Sequence, residues 1–456
     1  MPIRDVEIWQ ARFNVLNKSI DEMKLAIDGK DGDDWEITIK SALALLQDFG
    51  KKQFDFFYLG FQNGALIDSP HLRAEYALRR TLDQISFDLE VLQRAHNQRL
   101  LNDQNEQMVK TLALADKLAY LALKPAIDAE LLENTAVITY FQKSANVRVV
   151  PYGPVAIIGI PYTCVDWDNN ARDFLAIAHE VGHYVYWHAK KGNPRTGTSL
   201  RALLRSEISA DPPWRTAWLE EIFADVYGAL IAGPAIALDF QELLYDNYDL
   251  LEDDGEHPVS AIRPYLYTEV LQAMKDAYGK QLFSKAPAAL EKKWKKLLRD
   301  QRGNPGQFKP NHRYSDSTTV SLYRARTKVK EVANVSLSLL KSVLPHAEAS
   351  LWSTDSKNPS NEMYQTFKAE ILDKLAEADS RFNAPRLVAE PISKGVLIPV
   401  TDENIIKWTI GDALVKWFTF FADAQEKGLT LLPETWSTLL NGSGWAVGGP
   451  DADHAG

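Results

Sequence analysis

The chain has one cysteine, Cys164, in 456 residues. No intrachain disulfide can staple it, so its stability must come from buried apolar surface, and a reducing compartment suits it. It also lacks any run of about 18 apolar residues, the length that crosses a bilayer. The nearest approach, residues 227–240, is short and cut by Pro234. The opening Met1-Pro2-Ile3-Arg4-Asp5 has no apolar signal core. Positive charge is scarce as well. The 51 Lys and Arg stand against 61 Asp and Glu, a net charge of −10 with a pI near 5.5. That balance leaves no electrostatic footprint for a nucleic-acid partner. The expectation is a cytoplasmic protein without membrane insertion.

What is present is the composition of a folded protein, 45% hydrophobic and 10% aromatic, long enough for two or three packed units. Apolar residues at three- and four-residue spacing predict helices over 6–27, 34–49, 72–97 and 105–123. Turn signals such as Asp28-Gly29-Lys30-Asp31-Gly32 and Asp68-Ser69-Pro70 separate them. Short β-branched runs at 136–141, 147–150 and 155–160 then predict a small sheet. Asn169-Asn170 is placed to cap a helix beginning near Ala171, and further helices are expected over 214–230, 258–278 and 287–298. Beyond the Gly-, Pro- and Asn-rich stretch come expected helices at 318–344, 361–378 and 403–426, the last preceded by an apolar run at 396–400.

The residues that carry chemistry lie in Phe174-Leu-Ala-Ile-Ala-His179-Glu180-Val-Gly-His183. Residues four apart share one helical face, so both imidazoles can reach one ion. Glu180 stands one step round, where it can take a proton from metal-bound water without being a ligand. With 9 His and 61 acids in the chain, chance supplies about 0.02 such matches. The flanking residues are apolar, which buries this helix and leaves the polar trio in need of a reason.

A catalytic zinc needs a third protein ligand and one open position. Positions 186 and 189 are Tyr and Ala, so the spacing that supplies a third histidine six residues on is not met, and His188 reads as a surface residue. Trp218-Leu-Glu220-Glu221-Ile-Phe-Ala224-Asp225-Val-Tyr-Gly228 offers a carboxylate instead. Glu221 and Asp225 share a helical face; one can bind the ion while the other fixes a ligand imidazole through its second nitrogen. Ala224 is small enough for this helix to press against the first. Glu220, Glu207 and Asp211 compete with Glu221 for the ligand role.

His-Glu-x-x-His followed by Glu-x-x-Ala-Asp-x-x-Gly resembles the gluzincin metallopeptidases, in particular the group containing the heat-shock protease HtpX and the CAAX prenyl endoprotease. A third element agrees: His257-Pro258-Val-Ser-Ala-Ile-Arg263 matches that group's His-Pro with Arg six residues after His. The resemblance covers residues 147–273. It implies that His257 and Arg263 lie at the active site and stabilise an oxyanion. By analogy strand 155–160 is either an edge strand that holds the peptide by main-chain bonds or, as its continuous apolar run equally suggests, a buried structural strand. The named relatives are integral membrane proteins, so their substrates are not carried over. Residues 190–215 have the composition of a lid or of an ordinary solvated connection.

The resulting expectation is an α+β, predominantly α chain. Helical regions at 1–125 and 319–447 would flank a zincin-like unit at 126–298, with a linker at 299–318 and a disordered tail at 448–456. One zinc per chain on His179, His183 and Glu221, with Asp225 behind them, would hydrolyse a protein or peptide substrate using Glu180 as base. A regulatory partner engaging the helical regions would make the activity conditional. A non-catalytic scaffold with a structural or vestigial zinc site, and a sensor protease acting on a regulatory protein, are the alternatives.

Overall fold

The computed structural model describes residues 6–27, 34–100, 105–245, 249–276, 278–302, 306–311, 319–344, 351–377, 382–390, 404–410 and 426–442. The chain is mostly helical with small sheets. Four helices come first: α1 (Val6–Ala26), α2 (Asp34–Gln62), α3 (Ala74–Asn97) and α4 (Glu106–Asp128). Helix α2 runs well past the expected end at 49 because Phe54, Phe56, Phe57 and Phe61 continue its buried face. Three strands follow, β1 (Ala136–Gln142), β2 (Asn146–Arg148) and β3 (Val155–Pro161), in the order β1-β3-β2.

Strand β3 is therefore central, parallel to β1 on one side and antiparallel to β2 on the other. It has no free edge for a peptide, which corrects the substrate-strand expectation for 155–160. Its uninterrupted apolar run reflects burial on both faces. Side chains alternate across a strand, and here they feed two cores. Ala136, Ile138, Tyr140, Val155 and Ile157 pack toward α1–α3. Val137, Phe141, Ala156, Ile158 and Ile160 pack toward α4 and the helices beyond. The outer edge of β1 is sealed by side chains. Gln98 donates to the carbonyl of Phe141 and accepts from its amide, at 2.9 and 2.7 Å. Asp116 accepts from the Thr139 amide while Arg99 donates to the Thr139 carbonyl.

The segment carrying His179 and His183 begins with a 3-10 turn at Ala171–Leu175, where an α-helical start was expected, and continues as α5 (Ala176–His188). Residues 190–215 are not one open loop. They form a hairpin, β4 (Lys190–Lys191) with β5 (Thr198–Ser199), then α6 (Leu200–Glu207) and α7 (Pro213–Ala217). After a break at Trp218 come α8 (Leu219–Ala232) and α9 (Pro234–Tyr245). Helix α10 (Arg263–Ala273) starts later than 258 because Pro264, not Pro258, fills its first turn. It stops short of 278, and Lys275 turns back to pair with Gln281.

Helix α11 (Ala286–Arg302) leads to β6 (Gln307–Phe308), which pairs with β7 (Val320–Ser321) ahead of α12 (Leu322–Val343). Helix α13 (Asn361–Phe367) passes through a π turn at Lys368–Leu372 into α14 (Asp373–Ala376). Strand β9 (Ile405–Thr409) pairs in parallel with β8 (Arg386–Glu390) where a helix was expected; Ile405, Ile406 and Thr409 are β-branched and suit a pleated surface. Helix α15 (Pro433–Gly442) was not anticipated. The apolar run at 396–400, most of the expected helix 403–426 and the tail at 448–456 lie outside the described residues.

Core membership crosses the chain order. Residues of α12 to α14 join the core around α5 and α8, whereas Leu387, Ile406, Leu431, Trp436 and Leu440 join the core of α1–α3. Thr38 and Ser41 of α2 accept the amides of Leu387 and Ala389. No helix among the described residues is long and apolar enough to cross a membrane.

Candidate metal centre

Helices α5 and α8 pack at backbone contact. A Cβ added to Gly182 would lie 2.7 Å from the Cα of Ala224, so glycine on one helix and alanine on the other permit this approach. Gly228 is close too, its notional Cβ 3.4 Å from the Cα of His179. The approach brings His179 and His183 of α5 against Glu221 in the first turn of α8, where a carboxylate also complements the helix dipole.

The three form one cluster whose ligand atoms all lie within 4.8 Å of one another. The two Nε2 atoms are 3.2 Å apart, with the rings perpendicular. Glu221 Oε1 is 3.3 Å from His183 Nε2, and its Oε2 is 3.4 Å from His179 Nε2. Tetrahedral ligands at roughly 2.0–2.1 Å from an ion have their donor atoms about 3.3–3.4 Å apart. Each imidazole lies near that distance from a different oxygen of the one carboxylate, so the donor set can hold a metal ion.

The outward nitrogens face carboxylates, His183 Nδ1 in a hydrogen bond and His179 Nδ1 by proximity. His179 Nδ1 is 3.0 Å from Asp225 Oδ1, and His183 Nδ1 is 3.1 Å from Glu220 Oε1, which also accepts the indole N–H of Trp187 at 2.8 Å. Glu220, a competitor for the ligand role by sequence, thus sits behind a ligand. His257 repeats the pattern. Its Nδ1 is 2.6 Å from Asp254 Oδ2 and its Nε2 is 3.3 Å from Glu221 Oε1. Nothing in the sequence singles out Asp254, since acids are common in this chain.

Arg263 lies on the other side of Glu221. Its Nε and Nη2 form a bidentate pair with Asp225 at 2.7 and 2.8 Å, and Nη2 also reaches Glu221 Oε2 at 2.9 Å. Tyr267 adds a 2.7 Å bond to Asp225 Oδ1. The guanidinium stacks over Phe240, whose ring is in turn 5.3 Å from that of His179. Arg263 is placed to lock two carboxylates, with the donors named here already engaged. Glu207 and Asp211 are not members of the cluster.

Glu180 is buried, 8% exposed, and among the described residues no group donates a hydrogen bond to its carboxylate. Burial pushes its carboxyl up. Burial would do the same to Glu221, but His257, His183 and Arg263 hold it well below the carboxylate range. Burial opposes charge on His183 and His257, yet Glu221, with Glu220 beside the first and Asp254 beside the second, raises them to about 9 and about 10. Five carboxylates (Glu180, Glu220, Glu221, Asp225 and Asp254) thus crowd around Arg263 and three imidazoles. Such a field favours added positive charge at the imidazole nitrogens, which a divalent ion supplies as well as protons do.

His188, read from sequence as a surface residue, is half-buried. Its ring stacks on Tyr184 at 4.4 Å, and its enclosed Nε2 has no partner. Cys164 is buried and its thiol is pushed up by that burial, as befits a packing residue. No protein-family model matches the chain, and no curated protein or solved structure matches it significantly.

Proposed function

We propose that the protein is a zinc-dependent endopeptidase of the gluzincin kind, with His179, His183 and Glu221 holding one zinc ion per chain. The observation that carries this reading is the convergence of three donor side chains, one ligand atom of each within 4.8 Å of the others, beside Glu180, a buried carboxylate to which no described residue donates. Zinc in such a site supplies Lewis acidity and makes a bound water acidic near neutrality.

The chain's own residues supply the rest. Asp225 and Glu220 hold the Nδ1 side of each ligand imidazole, which turns the Nε2 lone pairs inward. Glu180 takes the proton of the attacking water and returns it to the leaving amine. His257, anchored through Nδ1 on Asp254, presents Nε2–H toward the developing oxyanion. Arg263 keeps Glu221 and Asp225 ionised and oriented, a positioning role in place of the oxyanion contact implied by resemblance. A peptide joining the small sheet would pair with β2, because β1 is sealed and β3 is central. The substrate class is protein or peptide, and a cytoplasmic location belongs to the same reading.

The second reading is a structural metal site in a binding scaffold, favoured by the burial of His179, His183 and Glu221 at 5, 7 and 9% exposure. Glu180→Gln separates the two. Zinc content measured by mass spectrometry should stay at about one per chain. Chelator-sensitive cleavage of an unfolded protein should fall by about 10²- to 10⁴-fold. Wild type and variant that act identically on every unfolded substrate would leave only the scaffold.

A further inference from the structure

His257 stands on a loop, residues 249–262, that contains no strand or helix of its own, yet oxyanion stabilisation requires a donor fixed to a fraction of an ångström. The loop is closed at its base by the Ala261 amide on the Leu250 carbonyl. Within it, Asp254 Oδ1 accepts the amides of Glu256 and His257, both at 2.8 Å. These bonds shape the loop but do not attach it to the rest of the site.

Asp253 does. Its side chain is 6% exposed. Oδ1 accepts the indole N–H of Trp218 at 3.1 Å and the Gly255 amide at 3.0 Å. Oδ2 accepts the Asn311 amide at 2.8 Å, and the Asn311 side chain donates to the Asp253 carbonyl at 3.0 Å. Trp218 immediately precedes α8, three residues before Glu221. Asn311 ends a segment, 306–311, that is pinned elsewhere. Phe308 is 3% exposed and lies 5.7 Å from the Trp218 ring and 6.1 Å from that of Trp214, while β6 pairs with β7.

We propose that Asp253 is a positioning residue, joining the His257 loop to α8 through Trp218 and to segment 306–311 through Asn311. That segment, expected to be linker, is then a strap that completes the site from outside the motif-bearing region. The inference rests on the metallopeptidase reading of the same centre.

The test uses the full chain carrying Asp253→Asn, which keeps the acceptor for Trp218 but sets an N–H against that of Asn311, and separately Asn311→Ala. Three quantities are measured: zinc affinity by chelator competition, binding of a hydroxamate that needs only the metal, and binding of a phosphonamidate peptide that carries an oxyanion. Deuterium exchange at residues 254–258 of the metal-free protein is followed in parallel. Asp253→Asn should leave zinc and hydroxamate binding unchanged, weaken the phosphonamidate by about 10- to 100-fold and speed exchange in the loop. Asn311→Ala should act in the same direction more weakly. Equal losses on all three probes, or unaltered phosphonamidate binding and exchange, would overturn the proposal. A wild type that binds no zinc and neither probe would instead remove the peptidase reading, and exchange alone would then decide whether Asp253 and Asn311 hold the loop.

Discussion

Helix α5 carries three histidines within ten residues, and its two ends treat them oppositely. His183, faced by Glu221 and Glu220, is raised to about 9. His188, little more than one turn on, is pushed down to about 4 by burial, with Lys190 adding to the effect. Burial lowers both, and His183, the more buried, is the one that ends up raised, so burial does not explain the contrast. The carboxylates delivered by α8 do. His183 is a cation-seeking group because a second helix brings acids to it, whereas His188 stays a neutral ring stacked on Tyr184.

The largest way to break the contrast is to remove the central acid. Glu221→Gln should abolish stoichiometric zinc binding, since it takes away a ligand and the main charge holding His183 and His257 up. Retention of full zinc affinity, read by metal analysis and calorimetry, would show that another group is the third ligand. Next is Glu220→Gln, which keeps the shape behind His183 but removes the charge. Zinc should still bind, about 10- to 100-fold more weakly, and unchanged affinity would make Glu220 a surface acid. The smallest effect belongs to the far end of the helix. His188→Phe should leave zinc affinity untouched and alter only the acid limb of stability. His188 is lowered to about 4 in the folded chain against 6.5 unfolded. The unfolded chain therefore binds more protons between these values, and stability falls as pH drops from about 6.5 toward 4. Replacing the ring should recover on the order of 2 kcal/mol at pH 4, measured by denaturant titration. Equal pH dependence in both proteins would mean His188 is solvated.

The parts legible in sequence were those with a period. His179 and His183 on one helix, and Glu221 with Asp225 on another, follow from spacing alone, and the structure brings all four together. Helices α1, α3 and α4 begin within two residues of where the apolar periodicity places them. What escaped was set by tertiary partners. The continuous apolar run Val155-Ala-Ile-Ile-Gly-Ile160 fits a strand buried on both faces, but which strands pair with it, and hence that β3 is central, is set by tertiary partners. Asp253 and Asp254 are single acids among 61, set apart only by their distances to indole, amide and histidine donors. Glu220, weighed as a ligand, is shown behind His183 only by its distance to Nδ1. The stretch at 299–318 has linker composition, yet within it segment 306–311 packs Phe308 against Trp214 and Trp218. In the expected helix at 403–426, residues 405–409 are strand because β8 supplies a pairing partner that periodicity cannot see.

The mixed ancestry of the core around α1–α3 has a consequence for biosynthesis. That core holds Trp9, Phe13 and Phe49, but also Leu387, Ile406 and Trp436. On the ribosome the chain emerges from its amino end, so the early helices must wait, with part of their apolar surface uncovered, until residues 386–440 leave the exit tunnel. The core around His179, His183 and Glu221 draws on residues 112–375 and can close sooner. The nascent protein would then finish at its beginning, and that exposed early bundle is where a holding chaperone would engage.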